Sequence, residues 1–234
     1  MVITDQTTIE QAENLIFNMW SPLSEDEKKI ISDNLTIEAF HKNEYIYKES
    51  EIPESIKWLI CGKVKICKTG FMGRDQILRT IVPSEIFSFR AYFANDDYLT
   101  SAMALEYCVV ASVPMTIVEK LIHSNNYVCL QLIKQLSIEL GKSDCRTISL
   151  TQKHIRGRLA ESLITLKERY GLEDDGYTLS IYLSREELAN MSNMTTSNAI
   201  RTLSAFATEK MIITDGRKIK ILNEKELKRI SETG

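Results

Sequence analysis

The sequence lacks the patterns that usually indicate a metal site, a disulfide framework or a membrane anchor. Its five cysteines are an odd number and form no Cys-x-x-Cys pair, which argues against a structural zinc site and a disulfide framework. No run approaches the roughly 18 consecutive apolar residues of a transmembrane helix. The opening residues, MVITDQTTIEQAENL, lack the basic and apolar regions of a signal peptide. We therefore expect a cytoplasmic protein that has no membrane partner.

The common catalytic signatures are missing as well. The three histidines are isolated, and none has the spacing of a metal-ligand pair such as HExxH. No glycine-rich dinucleotide motif, P-loop or nucleophile elbow occurs, and no acid–base pair or metal constellation stands out. The sequence therefore predicts a protein that is not an enzyme.

Charge is divided unevenly along a chain of otherwise ordinary composition. The 234 residues are 44% hydrophobic and 26% charged, which suits one large or two modest domains. The net charge is −3, but the part from Thr151 onward has 14 Lys and Arg against 12 Asp and Glu, whereas the rest has 15 against 20. Because the basic excess is small, affinity for nucleic acid would depend on local clustering of charge.

The segment from Leu183 to Ile212 has the pattern of two short helices joined by a tight turn. Ser184 and Glu187 form a capping box that begins the first helix. Asn193 suits the turn because asparagine tolerates the left-handed conformation, and Thr195 is a good N-cap for a second helix. Short polar residues followed by an arginine occupy the start of that helix, where a recognition helix contacts base edges. They are Thr196, Ser197, Asn198 and Arg201.

A basic hairpin follows the helix pair. Residues 211–221 predict a strand, an Asp-Gly turn and a second strand, with positive charge from Arg217, Lys218 and Lys220. A winged helix-turn-helix uses such a hairpin against DNA phosphates, which position the protein without specifying sequence. The alternative is an amphipathic helical hairpin that only packs a core. The basic hairpin in this order favours DNA binding.

The first half of the chain predicts a helix from Ser24 to Asn34 and then many short strands as far as Val113, which is typical of a sandwich or barrel. In one strand Val64 and Ile66 should point inward and Lys63 and Lys65 outward, and a hairpin tip should follow at residues 69–73.

A long helix is predicted from Asn125 to about His154. Its apolar seam comprises Ile133, Leu136 and Leu140, and continues through the more polar Ser143, Thr147 and Leu150. A two-fold helix pair explains this length best, although a monomer could bury the helix against the barrel.

This order of elements resembles the CRP/FNR family of bacterial transcription regulators. The most specific matches are Leu183-Ser-Arg-Glu-Glu-Leu-Ala189 and Thr195-Thr-Ser-Asn-Ala-Ile-Arg201, and the segment from Leu59 to Cys67 is similar to a barrel strand of the family that keeps Gly62. Arg185 resembles a phosphate contact of the family. The candidate DNA-binding residues are thus Arg185, Thr195, Thr196, Ser197, Asn198, Arg201, Arg217 and Lys218.

The resemblance implies an α+β fold with three parts. These are an N-terminal double-stranded β-helix (jelly-roll) barrel that senses an effector (1–124), a long dimerisation helix (125–154) and a C-terminal winged helix-turn-helix (155–234). It also implies a homodimer that binds a palindromic operator in double-stranded DNA and acts on RNA polymerase. The competing hypothesis is a ligand- or protein-binding module whose DNA-binding domain is vestigial.

The chain departs from the members of the family that bind cyclic AMP. Ser88 and Phe89 replace their Gly and Glu, and Leu99 and Thr100 replace the Arg and Ser that hold the cyclic phosphate. Cyclic AMP is therefore not expected, and the pocket should take an apolar or weakly polar effector or be a packed vestige. Its candidate lining residues are Phe87, Phe89, Arg90, Leu99, Thr100, Ser143 and Asp144.

Other members of the family bind an iron–sulfur cluster or a haem, and each needs particular side chains as ligands. No cysteine precedes Cys61, so the N-terminal cysteine run that holds an iron–sulfur cluster is missing. Haem binding is not excluded, because His41, His123 and Cys108 could each serve as an axial ligand.

The recognition helix also departs from the family. Since Thr196 and Ser197 replace the family's charged residues at the helix start, we expect an operator sequence that differs from the familiar ones.

Overall fold

Alternating apolar residues in the N-terminal half form strands that pack as two four-stranded sheets. The computed structural model describes residues 2–3, 5–70 and 75–233. One sheet has the order β1-β8-β3-β6 and the other β2-β7-β4-β5. The strands are β1 (Thr36–Phe40), β2 (Tyr45–Tyr47), β3 (Ser55–Cys61), β4 (Val64–Thr69), β5 (Asp75–Ile81), β6 (Ile86–Phe87), β7 (Ser101–Ala104) and β8 (Cys108–Pro114). The predicted barrel is confirmed, while most of the predicted hairpin tip lies outside the described residues.

The space between the two sheets is filled by a cluster that we call the inner cluster. It contains Val64 and Ile66, which point inward as predicted, together with Tyr47, Phe87 and Tyr98. The rings of Tyr47 and Tyr98 stack with their centroids 3.9 Å apart. Lys65 lies between Val64 and Ile66 on β4 and is absent from the inner cluster, so it faces the other side of the sheet as predicted, although the residue is only 8% exposed there.

Helices cover the other face of the first sheet. The buried residues between them form a second cluster, which we call the outer cluster and which includes Ile16, Trp20, Trp58, Phe89 and Val128. Trp20, at the end of α1 (Gln6–Met19), packs edge-on against Trp58 of β3 with the ring centroids 5.1 Å apart. The helix predicted from Ser24 to Asn34 is confirmed as α2 (Glu25–Asp33), which begins at a capping box in which Ser24 and Glu27 exchange both hydrogen bonds. The remaining helices of this half are the short α3 (Phe89–Phe93) and α4 (Met115–Ser124).

Gly62 permits a close approach between the β3–β4 turn and β8. Its φ is +90°, and a Cβ built there would lie 2.3 Å from the carbonyl oxygen of Tyr107 and 2.7 Å from Sγ of Cys108. Any other residue would be strained by both its backbone conformation and this contact. The glycine of the family-like strand is therefore required by geometry.

The long helix is confirmed as α5 (Asn126–Gln152), with 27 residues. At 1.5 Å per residue it is roughly 40 Å long. Val128 and Leu132 are buried, and Leu136 packs partly against the outer cluster, although the sequence places it in the exposed seam. Ile133 and Leu140 remain exposed.

The chain divides into two compact units along α5. The first comprises Met1–Thr69 and Leu78–Gly141, and the second comprises Gly70–Ile77 and Lys142–Gly234. Within the second unit, Arg146 donates to the carbonyl oxygen of Ile77 at 2.6 Å. Its remaining elements are α6 (Ile155–Tyr170), α7 (Arg185–Met191), α8 (Thr196–Thr208), β9 (Ile212–Asp215), β10 (Lys218–Ile221) and α9 (Glu224–Thr233).

Across the described ranges, no helix is both long enough and apolar enough to cross a membrane.

We predict that Gly62→Ala lowers the free energy of unfolding of the first unit by at least about 2 kcal/mol, because it adds backbone strain and a clash with β8. Both tryptophans lie in this unit, so urea denaturation followed by tryptophan fluorescence measures the effect. Gly141→Ala is the control: nothing lies within 4 Å of a Cβ at this position in α5, and alanine should stabilise the helix by about 0.5–1 kcal/mol. Equal effects of the two substitutions would contradict this account.

Candidate nucleic-acid interface

Side-chain caps set the start of both helices in the predicted helix-turn-helix. Ser184 accepts from the N–H of Glu187 at 3.1 Å, and Glu187 accepts from the N–H of Ser184 at 2.8 Å. Thr195 accepts from the N–H of Asn198 at 3.2 Å. The turn between the helices contains Asn193 with a φ of 49°. The predicted capping box, left-handed turn residue and second cap are all confirmed.

Arg158 of α6 holds the turn in place, a role that no local pattern around this residue indicates. Its Nε donates to the carbonyl oxygen of Ser192 at 3.0 Å, and its Nη2 donates to that of Asn193 at 3.1 Å. Its Nη1 donates to the carbonyl oxygens of Leu150 and Lys153 at 3.3 and 3.2 Å. One guanidinium therefore joins the C-terminal end of α5 to the turn that precedes α8.

The outward face of α8 carries most of the predicted base-contacting residues. Thr196, Ser197 and Arg201 are exposed, and Asn198 is half-buried. Arg201 donates through Nη2 to Oδ1 of Asn198, so the two side chains are already arranged as a pair. The opposite face packs into the domain through Ala199, Thr202, Leu203 and Phe206. A half-buried helix with a polar outer face can enter a DNA groove without losing its core contacts.

The predicted wing is a two-stranded hairpin whose tip is fastened to α7. Asp215 pairs with Lys218 across the turn, and Gly216 has a φ of 53°. Arg185 donates through Nη2 to the carbonyl oxygen of Gly216 at 2.9 Å. The family resemblance predicts that Arg185 contacts phosphate. In the structure, Nη2 of Arg185 is bound to the wing backbone.

The three basic residues of the wing differ in how their charge is used. Lys220 lies 3.0 Å from a carboxylate oxygen of Asp175, and hydrogen bonds from Thr178 hold the pKa of that carboxyl well below its usual range. Lys218 lies 5.4 Å from the ring centroid of Tyr182. Neither Lys218 nor Arg217 pairs with a carboxylate among the described residues, and both are exposed. They are the wing cations that remain available for phosphates.

The predicted effector residues do not share one cluster. Phe87 is in the inner cluster and Phe89 is in the outer one, while Arg90 and Leu99 are exposed and Thr100 is half-buried. Ser143 and Asp144 are exposed on α5, within the second unit.

Ser88 helps to explain why Phe89 turns outward. It adopts a φ of 79°, the left-handed region that favours the glycine of cyclic-AMP-binding members, and its hydroxyl donates to the carbonyl oxygen of Ser55 at 2.6 Å.

A cavity of about 270 Å³ lies on the first unit, beside α1 and the N-terminal half of α5. It does not involve any of the predicted effector residues. Its lining consists of Met19, Trp20, Ile86, Gln131, Lys134, Gln135 and Ile138.

Family models match the two halves of the chain separately. Residues 37–125 match the cyclic nucleotide-binding domain, and residues 157–230 match the Crp-like helix-turn-helix domain. The first match covers the barrel and α4, and the second covers the helix-turn-helix, the wing and most of α9. The two matches therefore lie on separate parts of the chain and do not overlap.

Known proteins resemble the chain over most of its length. It is 24% identical over 191 residues to the CRP-like cAMP-activated global transcriptional regulator of Mycobacterium tuberculosis, covering 81% of this chain and 85% of that protein. The structure of FixK2 from Bradyrhizobium japonicum has a TM-score of 0.76 at 22% identity, covering 84% of this chain and 96% of that one. A CRP/FNR-family transcriptional regulator from Eubacterium rectale has a TM-score of 0.78 at 18% identity, covering 94% and 99%. The two structures support the fold.

We predict that Arg158→Ala destabilises the second unit by about 2–4 kcal/mol, because up to four carbonyl groups lose a charged donor. Hydrogen exchange of residues 184–201 measures the local effect, and urea denaturation followed by circular dichroism measures the global one. Arg156→Ala is the matched control two residues away. Arg156 makes one exposed ion pair with Glu209 and lies 4.8 Å from the ring of Phe206, so its loss should cost about 1 kcal/mol. Equal protection in both variants would rule out the special role of Arg158.

Proposed function

The chain belongs to the CRP/FNR family of transcription regulators, and on that premise we propose a cytoplasmic homodimer that binds a palindromic operator under the control of an effector other than cyclic AMP. DNA-binding regulation is the common function of this family. The observation that carries the proposal for this chain is the exposed polar face of α8 together with two wing cations that pair with no carboxylate in the described ranges. A polar helix face can contact base edges in the major groove, and exposed cations can contact the phosphates.

We infer that α8 enters the major groove with its N-terminal turn against the base edges. Arg201 can pair bidentately with guanine and Asn198 with adenine, while Thr196 and Ser197 offer hydroxyl groups. Thr195 acts by capping the helix. Arg217 and Lys218 contact phosphates, and Arg185 supports them by holding the wing tip. The hypothesis of a vestigial DNA-binding domain does not account for this combination.

Dimerisation through α5 is supported by an exposed apolar stripe. Leu130, Ile133, Leu140 and Ile148 are 60, 52, 65 and 53% exposed. With 3.6 residues per turn they lie on one side of the helix, within about 80° of each other. Asp144 lies on the same side and makes the middle of the stripe polar. A second copy of α5 is the partner that such a stripe suits best.

The regulatory mechanism we propose is a population shift between two arrangements of the helix pair. A palindromic site presents its half-sites about 34 Å apart, so a small change in the pair alters how well both recognition helices fit. RNA polymerase is the expected protein partner once the dimer is on DNA. Helix α5 suits this role because its residues belong partly to the sensor unit and partly to the DNA-binding unit.

We expect neither cyclic AMP nor an iron–sulfur cluster as the effector. The stacked rings of Tyr47 and Tyr98 occupy part of the space between the sheets, and Leu99, where the family has a phosphate-binding arginine, is 44% exposed. The chain has no cysteine before Cys61, so it lacks the N-terminal ligands of an iron–sulfur cluster. For a haem, Cys108 is a poor axial thiolate because burial raises its pKa to about 11. An apolar small molecule, or no ligand at all, fits the described residues better.

We predict that Arg201→Ala weakens binding to an operator selected from random DNA by about 1–3 kcal/mol per half-site and relaxes specificity at one base. The measurement is a binding titration on the operator and on its single-base variants. Arg229→Ala is the control, since Arg229 is exposed on α9 of the same domain and paired with Glu226. An unchanged affinity of the Arg201 variant would remove this residue from the interface.

We predict that Leu140→Lys converts the dimer to a monomer and abolishes tight operator binding, because two charges would meet at the centre of the helix pair. Sedimentation velocity gives the oligomeric state. Ile138→Lys is the control, as Ile138 is 43% exposed on the same helix but about 160° away around its axis. A dimer that survives Leu140→Lys and is lost with Ile138→Lys would place the interface on the other side of α5.

We predict that millimolar cyclic AMP does not raise the melting temperature of the protein, since a ligand that binds only the folded state must stabilise it. The Mycobacterium tuberculosis relative, described as cAMP-activated, serves as the positive control. A clear concentration-dependent rise in this chain would overturn our interpretation of Phe89 and Leu99.

A further inference from the structure

One side chain on the outward face of α8 is not explained by polar base recognition. Ile200 is 47% exposed, whereas the other outward residues of the helix, Thr196, Ser197, Arg201 and Ser204, have hydroxyl groups or a charge. We propose that Ile200 contacts the 5-methyl group of a thymine in the major groove and thereby specifies a T·A base pair in each half-site. This inference rests on the proposed function, because it requires that α8 enters the groove.

Helical geometry separates the outward face into two flanks. With about 100° per residue, Ile200 lies about 60° to one side of Ser197 and Arg201 about 40° to the other. Thr196 is on the same flank as Ile200, and Asn198 is on the same flank as Arg201. The hydrogen bond between Arg201 and Asn198 holds the polar pair on its own side. The two flanks must therefore meet different base pairs or different strands.

Ile200 is not one of the buried residues of α8. The buried face of α8 is complete without it, since Ala199, Thr202, Leu203 and Phe206 already pack against the rest of the domain. A single exposed apolar residue is ordinary on a protein surface. Its position is what distinguishes Ile200, because it lies in the second turn of the helix whose N-terminal part meets the bases.

The chemistry of the groove identifies the partner of such a residue. The 5-methyl group of thymine is the apolar group among the base edges in the major groove, and apolar side chains contact it. Isoleucine is suited to this contact because its branched side chain is stiff at χ1 and loses little conformational freedom on binding. The contact removes apolar surface of both partners from water. Ile200 thus adds a thymine requirement to the hydrogen-bonding pattern of Arg201 and Asn198.

The test removes only the methyl group. Each thymine of the selected operator is replaced by deoxyuridine in both half-sites, one position at a time, and binding is titrated with the wild-type protein, Ile200→Ala and Ile200→Ser. For the wild type, one or two positions should weaken binding about fourfold per half-site, the effect of one buried methyl group. At those positions the two Ile200 variants should bind thymine and uracil equally well.

Ile213→Ala is the matched control, because Ile213 is 46% exposed on the wing strand β9 of the same domain and should keep the methyl dependence. A wild-type protein that binds its operator without any sensitivity to uracil would overturn the inference but leave the proposed function intact. Sensitivity that persists in both Ile200 variants would assign the thymine to another residue and overturn it too. If the wild type selects no operator at all, the proposed function itself fails, and the inference fails with it.

Discussion

The geometry of the DNA-binding unit depends most on the hydrogen bonds that the guanidinium of Arg158 donates to backbone carbonyl groups. Helix ends leave backbone carbonyl groups without partners, and a positive group near several of them satisfies both their hydrogen bonding and their partial charge. Arg158 does this at the end of α5 and at the turn before α8 at the same time. Because one planar group serves both ends, a change in the direction of α5 would be passed to the recognition helix.

The surfaces at the two ends of this connection are chemically different, and each matches a different partner. Helix α5 exposes Leu130, Ile133, Leu140 and Ile148, which an isolated chain would leave in water at a cost. Helix α8 exposes hydroxyl groups, a guanidinium and Ile200. The apolar surface therefore suits a second protein chain, and the mixed surface suits base edges. A regulator that joins dimerisation to DNA binding needs both.

Features that depend on local chemistry could be predicted from the sequence. Ser184 with Glu187, the cap at Thr195 and the Asp-Gly turn of the wing each involve residues within a few positions of one another, and all are found. Helix α1 has a similar local signal, because Asp5 is its N-cap and Ile9, Ala12 and Ile16 follow at helical spacing. Local capping and periodicity thus suffice for the elements and their order.

Features that depend on distant partners could not be predicted. Arg158 bonds to residues 34 and 35 positions away, and nothing near it in the chain indicates this. The sequence places Phe89 among the residues of an effector pocket, but Phe89 follows Ser88 in its left-handed conformation and packs in the outer cluster. Tyr47 and Tyr98 stack inside the barrel although they are 51 positions apart in the sequence. The candidate sensor site was accordingly the weakest part of the sequence-based prediction, and the DNA-binding helix the strongest.

Selection of bound fragments from random DNA by the 234-residue protein tests the central claim most directly, because it examines the helix pair and the recognition helix together. A two-fold dimer should enrich an inverted repeat whose half-site centres are about one helical turn, roughly 10–10.5 base pairs, apart. Enrichment of a single unrepeated half-site, or of no sequence, would contradict the account.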